Sequence, residues 1–393
     1  MVAAFMSTET AETSATLYSR KNPFPAKHLV NRPLSGAGSQ KETRHHEISL
    51  EGSGLAYEVG DSLGVFPSND PALVQEIIQA IRASGDEQVL GANGQPKSFR
   101  EALTTDFIIT TPSKEFIKAL VDRGGNGSDH LRTLSTDPLR KKELEEYLWG
   151  MEFIDFLHSH PSLPWTAEEL IKVMRKLQPR LYSIASSMKA VGNNVHLTIA
   201  TVRYESHGRK RHGVASSFLA DRTSAETPVP VFVHTAKHFR LPENPETPII
   251  MVGPGTGVAP FRAYLQDRKA SGAKGKNWLF FGEQRRELDF LYEEELAALR
   301  ESGVLTKLDL AFSRDQAEKI YVQHRMRENG AELYAWLQEG AHFYVCGDGA
   351  RMAKDVDAEL HAIIAREGAM PAEKAAEYVE SLKKEKRYKR DVY

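Results

Sequence analysis

Residues 248–268, PIIMVGPGTGVAPFRAYLQDR, constrain the fold more than any other stretch. The apolar run Ile249 to Val252 predicts a short buried parallel strand. It breaks at Gly253, Gly255 and Gly257, and Pro260 then opens a pattern with Phe261, Tyr264 and Leu265 at helical spacing. The order is therefore strand, tight glycine turn, helix. Glycines let backbone N–H groups approach a bound group closely, and a helix N-terminus adds unpaired donors and partial positive charge. The turn, Thr256 included, thus suits a phosphate or pyrophosphate. On these residues alone, a glycine-rich βα turn without a ligand is the alternative.

A chain of 393 residues is long enough for two or three domains. Its 51 basic and 53 acidic residues leave a net charge of −2, which offers no bulk electrostatic case for nucleic acid or a membrane surface. Cys346 is the only cysteine, which excludes an internal disulfide framework and cysteine-ligated zinc or iron–sulfur clusters. No apolar run approaches the roughly 18 residues that span a bilayer. The first 18 residues lack the basic and apolar regions of a secretory signal, so a cytoplasmic protein is expected.

Residues 1–20 are rich in Ser, Thr and Ala and predict a mobile tail. From Pro23 the alternation of apolar and polar residues predicts strands and hairpins, up to a Pro-Ser-Asn-Asp-Pro cluster where Asn69 or Asp70 can cap a helix. About residues 71–178 read as mainly helical. Strand patterns return in RLYSIASS (180–187), VHLTIATVRYE and PVPVFVHTA. The simplest account is one antiparallel β-barrel over 21–240, interrupted by a helical insert. From 241 to 393 strands alternate with helices, which predicts a parallel α/β sheet of the dinucleotide-binding type.

Several residues can carry chemistry. Arg180 can pair with a phosphate, Tyr182 offers a flat face to an aromatic ring, and Ser183 offers a hydroxyl; an exposed strand edge explains the same residues without a ligand. Gly213 precedes a helix beginning near Ser216, a second helix N-terminus for a pyrophosphate. Two phosphate sites suggest two nucleotides. Cys346, taken alone, is a small buried apolar residue. His45 and His46 are adjacent, point to opposite faces of a strand and cannot easily share a metal, so no metal site is expected; they read as surface or barrel residues. The run HGRKRHG, 207–213, reads as a solvated hairpin loop rather than a docking patch, and KKEKRYKRDVY as a frayed basic end.

The motifs RLYSIASS, HGVASSFLAD, FRLP, IIMVGPGTGVAPFRAYLQ, KNWLFFGEQ, SRDQAEKIYVQHRM, YVCGDGARMAKDV and RYKRDVY occur in order. Together they resemble the ferredoxin–NADP reductase-like module of the diflavin reductases. That family includes the flavoproteins of NADPH-dependent sulfite reductases, which the motifs match better, and cytochrome P450 reductase, further away. The resemblance implies that the barrel binds FAD and the α/β half binds NADPH. FAD contacts would fall on Arg180, Leu181, Tyr182, Ser183, Thr198, Ile199, Ala200, Tyr204, Gly213, Val214, Ala215, Ser216 and Tyr393. NADPH contacts would fall on Gly253, Gly255, Thr256, Gly257, Ser313, Arg314, Lys319, Ile320, Tyr321, Val322, Gln323 and Asp355. Cationic and hydroxyl donors at Ser313, Arg314 and Lys319 suit a 2′-phosphate and favour NADPH over NADH.

The resemblance also implies catalytic roles for Ser183, Cys346, Asp391 and Tyr393, with Tyr393 as a movable gate over the flavin. The implied activity is NADPH oxidation, with electrons passed to a sulfite reductase hemoprotein, directly or through a separate flavodoxin. A general NADPH–flavodoxin or ferredoxin reductase and an assembly subunit of a reductase complex are the alternatives. The sequence departs from the family in two ways. Only about 20 residues precede the module, so an FMN-binding flavodoxin-like domain is not expected in it, and the stretch YLWGMEFIDFLHSHPSLPW matches the family less well, as a place where a different partner could be accommodated.

Overall fold

The computed structural model describes residues 17–124 and 128–393; nearly all of the tail expected over 1–20 lies outside them. The first strands are β1 (Phe24–Pro33), β2 (Glu42–Ser49) and β3 (Ser62–Val65). The chain is then mainly helical, and the Asp70 side chain caps the helix Pro71–Ala80 by accepting from Ala72 N–H. One hairpin departs from the helical expectation: β4 (Gln88–Leu90) pairs with β5 (Pro96–Ser98). Gly94, at φ +79°, supplies the left-handed residue this turn needs. The helical stretch has its own core, in which Phe116 packs against Phe153 at 4.4 Å and Trp165 at 5.5 Å between ring centres.

β6 (Arg180–Ser183), β7 (Asn194–Thr201), the hairpin β8 (Arg203–Ser206) and β9 (Arg209–His212), and β10 (Val229–His234) follow. Six of these strands form an antiparallel sheet in the order β6-β3-β10-β1-β2-β7. A bridge between Ile184 and Leu197 ties its two outer strands together, and alternate residues such as Ala26, Ile48, Leu63, Val195 and Val231 fill the interior. His45 and His46 lie in the barrel wall and are 1% and 0% exposed, so the surface alternative is excluded. The run 207–213 does form a hairpin, but it is not simply solvated. Arg211 is 1% exposed and pairs with Glu152 at 2.9 Å and Asp155 at 2.7 Å, because the helical stretch packs over it.

The second sheet is parallel: β11 (Ile249–Val252), β12 (Asn277–Glu283), β13 (Lys307–Phe312), β14 (His342–Gly347) and β15 (Tyr388–Val392). Its order is β13-β12-β11-β14-β15. Helices cover both faces, so all four residues of β11 and all seven of β12 are buried. The final basic segment is therefore not frayed; β15 pairs with β14 over Tyr388 to Val392. Chain order runs outward from β11 to β13 and then returns beside β11, which opens a crevice at the strands' carboxyl ends where such sheets take ligands.

Candidate functional site

The glycine turn stands at that crevice. Residues Gly255–Val258 form a 3₁₀ turn that leads directly into the helix Ala259–Ser271, with Pro260 in its first turn. Gly255 has φ +58°. Gly257 packs so closely on β14 that a Cβ there would lie 2.1 Å from the Cys346 carbonyl oxygen. The turn thus requires glycine, for backbone conformation at one position and for space at the other.

Three side chains from distant parts of the sequence meet beside it. β6 carries Ser183, and β14 and β15 hold Cys346 and Asp391 opposite each other in register. Ser183 Oγ donates to Asp391 Oδ2 at 2.8 Å. Cys346 is fully buried, and burial, reinforced by the Asp391 carboxylate, pushes its thiol well above its usual pKa. It is held as a neutral thiol and not as a nucleophile. Tyr393 crosses the turn: its hydroxyl shares a 2.8 Å hydrogen bond with Thr256 Oγ1, while its backbone exchanges bonds with Gly347 and Gly349. The residue as a whole is 58% exposed.

A cavity of about 420 Å³ opens between the two sheets, lined by Ala200, Val202, Tyr204, Thr256, Lys41 and Glu283 among others. Leu181, Val202 and Tyr204 are exposed apolar side chains, and Tyr182 is half-buried. Flat apolar surface of this kind suits an aromatic ring system. Thr198 and Ile199 do not line the cavity. Strand alternation turns Thr198 onto the Tyr292 hydroxyl at 2.7 Å and Ile199 into the barrel core.

The second phosphate-type feature is the helix Val214–Asp221, which begins two residues earlier than expected. Gly213 at its N-cap offers no side chain to the first N–H groups, so these are available to an anion. Ser216 is already engaged, accepting from Val202 N–H at 3.1 Å and donating to Gly213 O. Beside it lies a cavity of about 160 Å³ lined by Val214, Ser217, Arg209, Lys210, His212 and Arg222. Among the described residues, Arg222 Nη1 is buried there without a hydrogen-bond partner. An unpaired cationic donor beside open N–H groups fits a phosphate-bearing ligand. Arg180 is exposed at the start of β6.

The third feature is a cavity of about 350 Å³ against the glycine turn, lined by Pro254, Gly255, Ser313, Arg314, Lys319 and Tyr321. The segment 313–321 is an exposed loop, not the start of a helix; the helix runs Val322–Glu328. Val322 lines the cavity from the core, and Ile320 packs against that core. Gln323 donates to Asp355 at 3.4 Å, and neither residue lines the cavity. The cluster of Ser, Arg, Lys and Tyr donors fits a phosphorylated ribose.

Sequence reasoning missed three contributors. Lys41, from the loop between β1 and β2, lines the third cavity, and its neighbour Gln40 accepts a hydrogen bond from Arg314. Nothing in a Ser-Gln-Lys loop signals a contact 274 residues away. Trp149, in the stretch that matched the family less well, lies against Tyr204 with ring centres 5.7 Å apart. Two buried histidines, His45 and His196, and the half-buried Glu47 also form a network across β2 and β7. Arg262 Nη1 donates to His196 Nδ1 at 3.2 Å, which turns the ring's Nε2–H toward Glu47 at 3.7 Å, and His45 Nε2 hydrogen-bonds Glu47 Oε1 at 3.1 Å.

Two family patterns match this chain: the FAD binding domain over residues 17–218 and the oxidoreductase NAD-binding domain over 251–358. Curated relatives are similar along almost all of it. The sulfite reductase [NADPH] flavoprotein alpha-component of Bacillus subtilis (strain 168) is 48% identical over 384 residues, 98% of this chain and 63% of the relative. The protein of the same name from Klebsiella pneumoniae is 47% identical over 378 residues, 96% of this chain and 62% of the relative. That from Escherichia coli O9:H4 is 47% identical over 384 residues, 97% of this chain and 63% of the relative. The chain therefore spans a little under two thirds of these relatives' length.

Proposed function

Because the chain belongs to the FAD binding domain family and carries an oxidoreductase NAD-binding domain, we propose that it oxidises NADPH through FAD. The natural acceptor in this proposal is a sulfite reductase hemoprotein, reached directly or through a separate flavodoxin. Similarity to the flavoprotein alpha-components supports that choice. No helix among the described residues is long and apolar enough to cross a membrane, and we assign the protein to the cytoplasm. The proposed domain division falls at residue 240, with the insert over about 71–178.

The observation that carries the proposal is the meeting of Ser183, Cys346 and Asp391 between Tyr182 and the glycine turn. The barrel would hold FAD through Tyr182, Tyr204 and the open helix N-terminus at Gly213, with Arg180 and Arg222 toward its phosphates. The parallel sheet would hold NADPH through the turn 253–257 and the Ser313, Arg314, Lys319 and Tyr321 cluster. When bound, FAD supplies acceptance of a hydride as an electron pair and release of single electrons. The protein's part is positioning. Asp391 holds the Ser183 hydroxyl in one orientation, and the neutral Cys346 thiol closes the site without introducing a second negative charge. Tyr393 would have to leave its hydrogen bond to Thr256 to admit a nicotinamide ring.

Anaerobic stopped-flow absorbance tests this. FAD-loaded protein is expected to bleach on mixing with NADPH and not with NADH, and then to reduce added hemoprotein. Ser183→Ala is expected to slow bleaching by about 100-fold while NADP⁺ binds as before, because the hydroxyl orients and does not anchor. A flavin that stays oxidised under NADPH would sink the proposal.

A further inference from the structure

Lys41 stands between two cavities, lining both the one that holds the Arg314 cluster and the one that opens onto Tyr204. Its loop leaves the barrel and is pinned to the other half of the molecule. Gly36 N–H donates to Leu288 O at 2.6 Å, and Ser39 Oγ to Asp289 Oδ1 at 2.5 Å. Lys41 Nζ then pairs with Glu283 Oε1 at 2.6 Å. Their exposures differ sharply, 42% for the Lys41 side chain and 3% for that of Glu283.

Glu283 is the last residue of β12 and stands at the mouth of the crevice. Its Oε2 accepts from the Gln284 N–H at 2.7 Å, which fixes the carboxylate in place. A Cβ built on Gly255 would lie 3.3 Å from its Oε1. A buried anion therefore touches the turn to which a dinucleotide pyrophosphate is assigned above. Like charges so close in a partly desolvated crevice repel strongly unless a cation stands between them.

We infer that Lys41 is a positioning residue supplied by the FAD-binding half, the counter-charge that lets an anionic dinucleotide settle against Glu283. It acts through Glu283, and the inference rests on the dinucleotide assignment of the preceding subsection. Screening predicts a particular pattern. Removing the lysine exposes the carboxylate and harms binding; removing the carboxylate as well takes away the reason the lysine is needed.

Calorimetric titration of NADP⁺ into the FAD-loaded protein tests this without turnover. Lys41→Met is expected to raise Kd by about tenfold or more, as an unscreened neighbouring charge would. Glu283→Gln is expected to bind NADP⁺ as tightly as the wild type or tighter. The double variant is expected to return to within about threefold of the wild type. A Lys41→Met Kd within about twofold of the wild type overturns the inference. So does a double variant as weak as Lys41→Met, which would mean that the lysine grips the phosphate itself. Wild-type protein that binds no NADP⁺ overturns the dinucleotide assignment, and the inference with it.

Discussion

Gly257→Ala is expected to weaken dinucleotide binding severely and to destabilise the parallel-sheet half. The new methyl group would lie 2.1 Å from the Cys346 carbonyl oxygen and 2.8 Å from its carbon, both backbone atoms of a central strand. Neither can rotate away, so the turn must lift off β14. A displacement of about 1 Å at a positioning element costs roughly 100-fold, which sets the expected loss in NADP⁺ affinity and in flavin bleaching. Overpacking adds about 1–3 kcal/mol of destabilisation, read as a lower thermal midpoint. Gly255→Ala is the internal control. It meets only Glu283 Oε1 at 3.3 Å and pays for a positive φ, a cost of about 1–2 kcal/mol. If the two variants bind NADP⁺ equally well, close packing on β14 is not what shapes the turn.

Acid is expected to unfold the protein well above the pH that protonates ordinary carboxylates. Burial lowers His45 and His46 from 6.5 to about 3, and His196 to about 4. The Arg262 guanidinium adds to the effect at His45 and His196, and His28 at His46; Glu47 opposes it at His196. The folded chain keeps these rings neutral, whereas the unfolded chain protonates them below pH 6.5. Their contribution is therefore fully present above pH 6.5 and is lost as pH falls toward 4 and then 3. At about pH 5 each ring costs about 2 kcal/mol, and three together about 6 kcal/mol, against a typical total stability of 5–15 kcal/mol. Urea titrations at pH 7 and pH 5 measure the difference. His46→Gln should remove about 2 kcal/mol of it, whatever it does to stability at pH 7. A pH-independent midpoint over that range would show that these histidines titrate as exposed ones do.

Much of the fold was legible because it is encoded locally. The unbroken apolar run at 249–252 marks a strand buried on both faces, and the glycines and Pro260 mark the turn and helix that follow. Alternation marked the barrel, and helical spacing marked the chain between β3 and β6. Where local cues are short or ambiguous the structure differs from the expectation: a hairpin of two three-residue strands at 88–98 interrupts the helical stretch, and the helix after Gly213 starts two residues earlier. The donors Ser313, Arg314 and Lys319 were legible as a cluster because one loop carries all three.

By itself the sequence determined the two halves, their order and the glycine turn that defines the crevice, since each depends on residues within a turn or strand of one another. Only the tertiary structure decided that Ser183 reaches Asp391 across 208 residues and that Lys41 reaches Glu283 across 242. It also decided that Arg211 and His45 are buried while Tyr393 lies over the turn. Those relations follow from strand register and from how the barrel packs on the parallel sheet. A charged residue on an alternating strand has the same local pattern whether the far side of its strand meets water or another layer of protein, so the choice is made by packing.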